Sequence, residues 1–236
     1  MEKKDFVIGV LGGMGTYATI DLFRKYALTF PAEKEWDRPR IIIDNKCTMP
    51  SRVRAILYNE SIDYLVNEMS ESLNCLIKSG AKRIILACNT SHLFLPHIFN
   101  QNPQIKDYVV NIIELTVNEI VAKSVKRVYL LASEGTIESK VYEKRFSEFD
   151  LICDYPSKDE YDKLRYCIES VKQNYYTEKT KLFFLELINK RTNIILGCTE
   201  LPVLYEKYKD ELKKITVFDP IQITLNILKN EFEECL

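Results

Sequence analysis

One short segment occurs twice in this chain, and it limits the fold more than any other feature. Residues 84–90 read Ile-Ile-Leu-Ala-Cys-Asn-Thr and residues 194–199 read Ile-Ile-Leu-Gly-Cys-Thr. A brief run of branched aliphatics bounded by polar residues fits a strand buried on both faces of a parallel sheet. Ligands of open α/β sheets bind beyond the carboxyl ends of the strands. Cys88 and Cys198 are therefore expected at equivalent points of two similar halves, both facing a crevice.

The remaining pattern alternates strand and helix. Strands are predicted at 6–11, 40–44, 82–87 and 108–113, then again at 127–132, 151–154, 193–196 and 216–218. Helices are predicted at 17–30, 60–79, 92–99, 115–123, 137–149, 159–175 and 178–189, with 45–59 irregular around Pro50. Asp219 and Pro220 supply a cap and a first helical residue for a final helix. Alternation of this kind builds right-handed βαβ units. A Gly-Thr turn also repeats, at Gly15-Thr16 and Gly135-Thr136, offset by 120 residues where the cysteines are offset by 110. The expected fold class is α/β: two similar three-layer subdomains with parallel four-stranded sheets, related by a pseudo-two-fold axis. The active site is expected between them. The first subdomain is assigned residues 1–116 plus 211–236, the second residues 117–210, with the last helix packing back on the first half.

Composition narrows the function classes. Thirty-three basic residues against 34 acidic ones give a net charge of −1, so nothing attracts nucleic acid or an anionic membrane. No apolar stretch approaches the roughly 20 residues of a membrane span. Seven cysteines without a C-x-x-C pair and two histidines argue against a zinc site or a disulfide framework. A reduced, cytoplasmic enzyme is expected.

A lone cysteine at a strand end usually fills space. Two at matching positions, each followed by hydroxyl or amide side chains and a helix start that favours thiolate, read as chemistry. Gly13-Met14-Gly15-Thr16-Tyr17-Ala18 fits G-x-G-x-x-A, with Asp44 placed to hold a ribose, so an NAD-dependent dehydrogenase is a rival reading. The paired cysteines and the second Gly-Thr turn have no place in it. Met14, Gly15 and Thr16 instead suit a backbone that closes on a substrate carboxylate. Arg52 could take a carboxylate bidentately, though a single loop arginine is more often solvated. Lys163, on a charged helix, reads alone as a surface residue. His92 reads as a capping or packing residue behind Cys88, and Glu200 as an acid at a helix start.

Together these segments resemble the aspartate/glutamate racemases, nearest to the aspartate racemases: 9–19 (GVLGGMGTYAT), the Pro-x-Arg of 50–52, 88–92 (CNTSH), 135–139 (GTIES), 197–202 (GCTELP) and Phe218-Asp219-Pro220. Thr16 stands where the family usually has Pro, and Ser91 where Ala is usual. The resemblance implies two α/β subdomains sharing one active site, catalysis by Cys88 and Cys198, no pyridoxal phosphate or other cofactor, and carboxylate binding by Arg52 and Lys163. By analogy, a homodimer is expected.

Inverting Cα requires a proton to leave one face and return on the other, which two opposed bases accomplish. The expected reaction is cofactor-independent racemisation of aspartate or glutamate, with one cysteine as thiolate and the other as thiol. The hydroxyls of Thr90, Thr199 and Thr136 are expected to hold the α-carboxylate as it gains enolate character. Asn89 is expected either to join them or to orient Cys88, and Glu200 is a further substrate contact. The alternatives are a related isomerase or decarboxylase on the same scaffold, or a non-catalytic amino-acid-binding protein.

Overall fold

A computed structural model describes residues 2–236. The first half runs β1 (Val7–Leu11), α1 (Thr16–Thr29), β2 (Arg40–Asp44), α2 (Arg52–Tyr58), α3 (Ile62–Lys78), β3 (Arg83–Leu86), α4 (Leu95–Gln101), β4 (Val109–Val110) and α5 (Ile112–Ala122). The second runs β5 (Arg127–Leu131), α6 (Glu134–Glu138), α7 (Glu143–Glu148), β6 (Ile152–Asp154), α8 (Lys158–Lys172), α9 (Glu178–Asn189), β7 (Asn193–Leu196), α10 (Leu201–Tyr208), β8 (Thr216–Phe218) and α11 (Pro220–Glu233). The strands form two four-stranded sheets in the orders β2-β1-β3-β4 and β6-β5-β7-β8, with every pairing parallel. The registers match as well: Leu11 pairs with Leu86 in one sheet and Leu131 with Leu196 in the other. Each cysteine follows two residues beyond such a leucine, at the point where strand order reverses and a crevice must open.

Alternation along the strands shows how the halves join. Ile84 and Leu86 pack outward on α3, and Ile194 and Leu196 on α8 and α9. Ile8, Val10 and Ile85 turn the other way, into one continuous core with Val128, Leu130, Ile195 and residues of α1, α5 and α11. Each such side chain withdrawn from water contributes about 1.5–3 kcal/mol. The sequence halves therefore share a core. A buried charge cluster reinforces it: Lys25 of α1 bonds Asp219 at 2.5 Å and Asp21 at 2.7 Å. Asp219 Oδ1 meanwhile accepts the first amides of α11, from Ile221 and Gln222.

Several expectations change. Residues 52–58 form helix α2 rather than an irregular loop. Ser51 caps it by accepting from the Arg54 amide, and Asn59 ends it in the left-handed region, but seven residues are too few to show a hydrophobic period. The strand expected over 108–113 is only Val109–Val110, because Asn111 caps α5 and turns the chain. The helix expected over 137–149 is two short helices, broken where Lys140 takes a positive φ. The boundary at 211 moves too. β8 pairs with β7 in the second sheet, and only α11 crosses back to pack on α1 and α5. Among the described residues no helix is long and apolar enough to cross a membrane.

Candidate active site

The two cysteine loops meet. Cys88 and Cys198 line one cavity of about 70 Å³ between the halves, together with Met14, Ser51, Arg52, Asn89, Thr90, Ser133, Lys172, Thr199 and Glu200. Such a space suits a small metabolite, whereas drug-sized ligands occupy roughly 300–1,000 Å³. The glycine loop is not a dinucleotide cradle either. Gly13, at φ +77°, lies against the Lys46–Cys47 backbone, where any Cβ would clash. Asp44 accepts the Ser72 hydroxyl on Oδ2 at 2.5 Å, which ties the end of β2 to α3. Among the described residues, no cluster of three or more His, Cys, Asp or Glu side chains could hold a metal ion.

The two thiols have unlike surroundings. The Cys198 thiol donates to Glu200 Oε2 at 2.9 Å. Burial, then the Glu200 charge, pushes this thiol well above the ordinary range, against an opposing pull from Lys172. Cys198 therefore rests protonated. Burial likewise pushes the Glu200 carboxyl up, while the thiol, Lys172 and Arg52 favour its charge. Glu200 Oε1 is buried without a partner and lies so close to Gly15 that a methyl group there would collide with it. That contact explains the glycine at the start of α1, where the helix N-terminus favours an anion.

Cys88 is placed through its backbone. Its carbonyl accepts from the Ser91 hydroxyl at 2.6 Å and lies 3.0 Å from His92 Nδ1. His92 Nε2 accepts from the Ile112 amide, so Nδ1 carries the ring's proton and donates it to Cys88. Burial lowers the His92 pKa to about 4, which keeps the imidazole neutral. His92 is thus a brace between the Cys88 loop and α5. Asn89, also buried, accepts the Tyr142 hydroxyl at 2.6 Å on Oδ1 and leaves Nδ2 unpaired.

Of the two expected cations, the structure brings only Arg52 to the cleft. Its Nη1 donates to the Pro50 carbonyl at 2.8 Å and its Nη2 to Met14 at 3.0 Å, which leaves Nε buried without a partner. Lys163 lies outside the cavity, paired with Glu186 of α9 at 2.7 Å. The cation at the cavity is Lys172, nine positions further along α8. Nine residues are two and a half helical turns, which carries a side chain to the opposite face. Burial works against its charge, but Glu169, Glu200 and Cys198 outweigh that and raise its pKa. The amphipathic period of α8 was the available signal: Leu164, Cys167, Ile168 and Val171 form its buried face.

The other expected contacts divide. Met14, Thr90 and Thr199 line the cavity, but neither Thr16 nor Thr136 does. Thr16 is exposed and takes a hydrogen bond from Asn45. Thr136 is buried in a ring of three hydroxyls with Ser133 and Thr90, in which Thr90–Thr136 is 2.7 Å. Thr199 gives its only hydroxyl hydrogen to the Ala87 carbonyl of the other half. These threonines join the halves across the cavity. Among the residues that line the cavity, Asn89 Nδ2 and Arg52 Nε are buried side-chain donors without a partner.

Comparison with known proteins identifies the family. The model of the Asp/Glu/Hydantoin racemase family matches residues 11–228. The chain belongs to that family. Membership places it among the isomerases that act on amino acids. It is 26% identical to the broad-specificity amino-acid racemase RacX of Bacillus subtilis over 217 residues, 87% of this chain and 90% of that one. It is 29% identical to the glutamate racemase of Carboxydothermus hydrogenoformans over 149 residues, 61% of this chain, and spans only 54% of that protein. The structure of the Picrophilus torridus aspartate racemase superposes with a TM-score of 0.82 at 26% identity, covering 97% of this chain and 94% of that one. An aspartate racemase homologue from Pyrococcus horikoshii shares the fold at a TM-score of 0.74, with 24% identity and coverage of 96% and 99%.

Proposed function

We propose that this racemase-family chain inverts Cα of an acidic amino acid, aspartate or glutamate, by direct proton transfer between two cysteines. The observation that carries the reading is that Cys88 and Cys198 follow equivalent sheet positions of the two halves and both line one small cavity. Cys198 rests as a thiol on Glu200, which suits it to deliver the proton of the first turnover and leaves Cys88 as the base. Cys88 takes the α-proton, Cys198 delivers its own to the far face, and the resulting thiolate–thiol arrangement accepts the opposite enantiomer. Each reacting sulfur must come within about 3–3.5 Å of Cα. The unpaired Nδ2 of Asn89 suits the α-carboxylate as it gains enolate character. Arg52 and Lys172 suit the side-chain carboxylate, and their charges are what favour an acidic substrate.

The test is chiral chromatography after incubation with single enantiomers of all the common amino acids, run alongside solvent-deuterium exchange at Cα. Cys88→Ala and Cys198→Ala should each lose racemisation by at least 10³-fold, in the range of removing an essential general base. One of them should retain exchange with a single enantiomer. A double variant that racemises normally ends the mechanism. A decarboxylated or rearranged product would favour the related-enzyme reading, and binding without turnover the non-catalytic one.

A further inference from the structure

Tyr142 belongs to no motif and lines no part of the cavity, yet it determines how a cavity residue is presented. It sits in the turn between α6 and α7, fully buried and stacked on Phe146 at a ring separation of 5.5 Å. Its hydroxyl reaches out of the second half and donates to Asn89 Oδ1, in the first half, at 2.6 Å. Burial raises the Tyr142 pKa far above its ordinary value, so the phenol keeps its hydrogen. The hydroxyl hydrogen goes to the Asn89 amide, which is 2% exposed, and the Thr116 side chain approaches the same hydroxyl. Turned the other way round, the amide would offer its NH₂ to the phenol oxygen, but the phenol hydrogen would lose the Oδ1 that accepts it. The bond therefore makes Nδ2 the free end of the amide, and Nδ2 is one of the few buried side-chain atoms without a partner. A buried donor left unpaired is costly unless something else occupies it. Asn89 is the residue next to Cys88 and lines the same cavity.

We infer that Tyr142 is a positioning residue: it holds the Asn89 amide with its NH₂ toward the carboxylate of a bound amino acid. The inference rests on the racemase reading above and adds a condition to it. Tyr142 and Asn89 come from different halves, so the donor is correctly turned only while the halves are docked. The substrate-binding side of Cys88 is thus assembled by the second half of the chain.

A double-mutant cycle on racemisation tests this, with Tyr142→Phe, Asn89→Ala and the double variant compared with the full-length wild type. Tyr142→Phe removes one oxygen and should lower kcat/KM about tenfold, the loss expected for a hydrogen bond to a charged group. Asn89→Ala should lose at least as much. The double variant should be no worse than Asn89→Ala, because Tyr142 acts through Asn89; a residue that only supports the fold would give losses that multiply. Multiplying losses, or unchanged kcat/KM in Tyr142→Phe, would overturn the inference. Should Tyr142→Phe fail to fold, Asn89→Asp serves instead. It keeps an acceptor for Tyr142 but replaces the NH₂ with oxygen, so it should fold and lose more than tenfold; wild-type activity there overturns the inference. An active wild type with multiplying losses sinks this inference alone, whereas a wild type that turns over no amino acid sinks the functional reading with it.

Discussion

His92 should make the protein acid-labile in a defined window. It is buried, its pKa is lowered to about 4 from an ordinary 6.5, and both ring nitrogens are engaged, by the Cys88 carbonyl and the Ile112 amide. In the unfolded chain the ring takes up a proton near pH 6.5; in the folded chain it resists until about pH 4. The unfolded state therefore binds more protons between these values, and stability must fall as pH is lowered through them. The full span is worth about 3 kcal/mol, and the part between pH 7 and pH 5 about 2 kcal/mol. The chain's other histidine, His97, is exposed. Glu200 works in the opposite sense. Its raised pKa makes it less destabilising as pH falls, so the wild-type slope alone mixes the two. His92→Asn separates them: it keeps a donor for the Cys88 carbonyl and cannot ionise. Urea unfolding at pH 7 and pH 5 should show wild type losing about 2 kcal/mol more than the variant over that interval. Equal losses in the two proteins would refute a neutral, buried His92.

Other substitutions probe the cleft and the shared core. Lys172→Ala should raise KM for an acidic amino acid about tenfold or more while Lys163→Ala leaves it unchanged, read from initial rates; the reverse result would restore the expectation drawn from sequence. Gly15→Ala should press a methyl group on the Glu200 carboxylate, cut kcat at least tenfold and cost about 1–3 kcal/mol in urea unfolding. Asp219→Ala removes the cap of α11 and one of the two partners of buried Lys25, and should destabilise by about 3 kcal/mol with unfolding still cooperative.

Much of this protein can be read from its sequence because the repeated signals are local. A strand buried on both faces must be a run of aliphatics, so 84–86 and 194–196 declare themselves, and with them the positions of Cys88 and Cys198. The Asp219-Pro220 start of α11 and the alternation that implies two parallel sheets are local in the same sense. Short elements carry too few residues for a period to emerge, which is why α2 and the break at Lys140 stayed hidden. The helix face presented by α8 could not be settled by a lysine's presence, because burial of Leu164, Ile168 and Val171 fixes the rotation of the whole helix and so selects Lys172 over Lys163. The pairings that finish the site join residues far apart in the chain: Gly15 with Glu200, Tyr142 with Asn89, Lys25 with Asp219. The sequence by itself thus determined the repeat, the sheets and the two cysteines. Only tertiary packing decided the burial that holds Cys198 as a thiol on Glu200, the rotation of α8 that turns Lys172 to the cavity, and the bond between the halves that leaves Asn89 Nδ2 free, since each depends on what the folded chain buries.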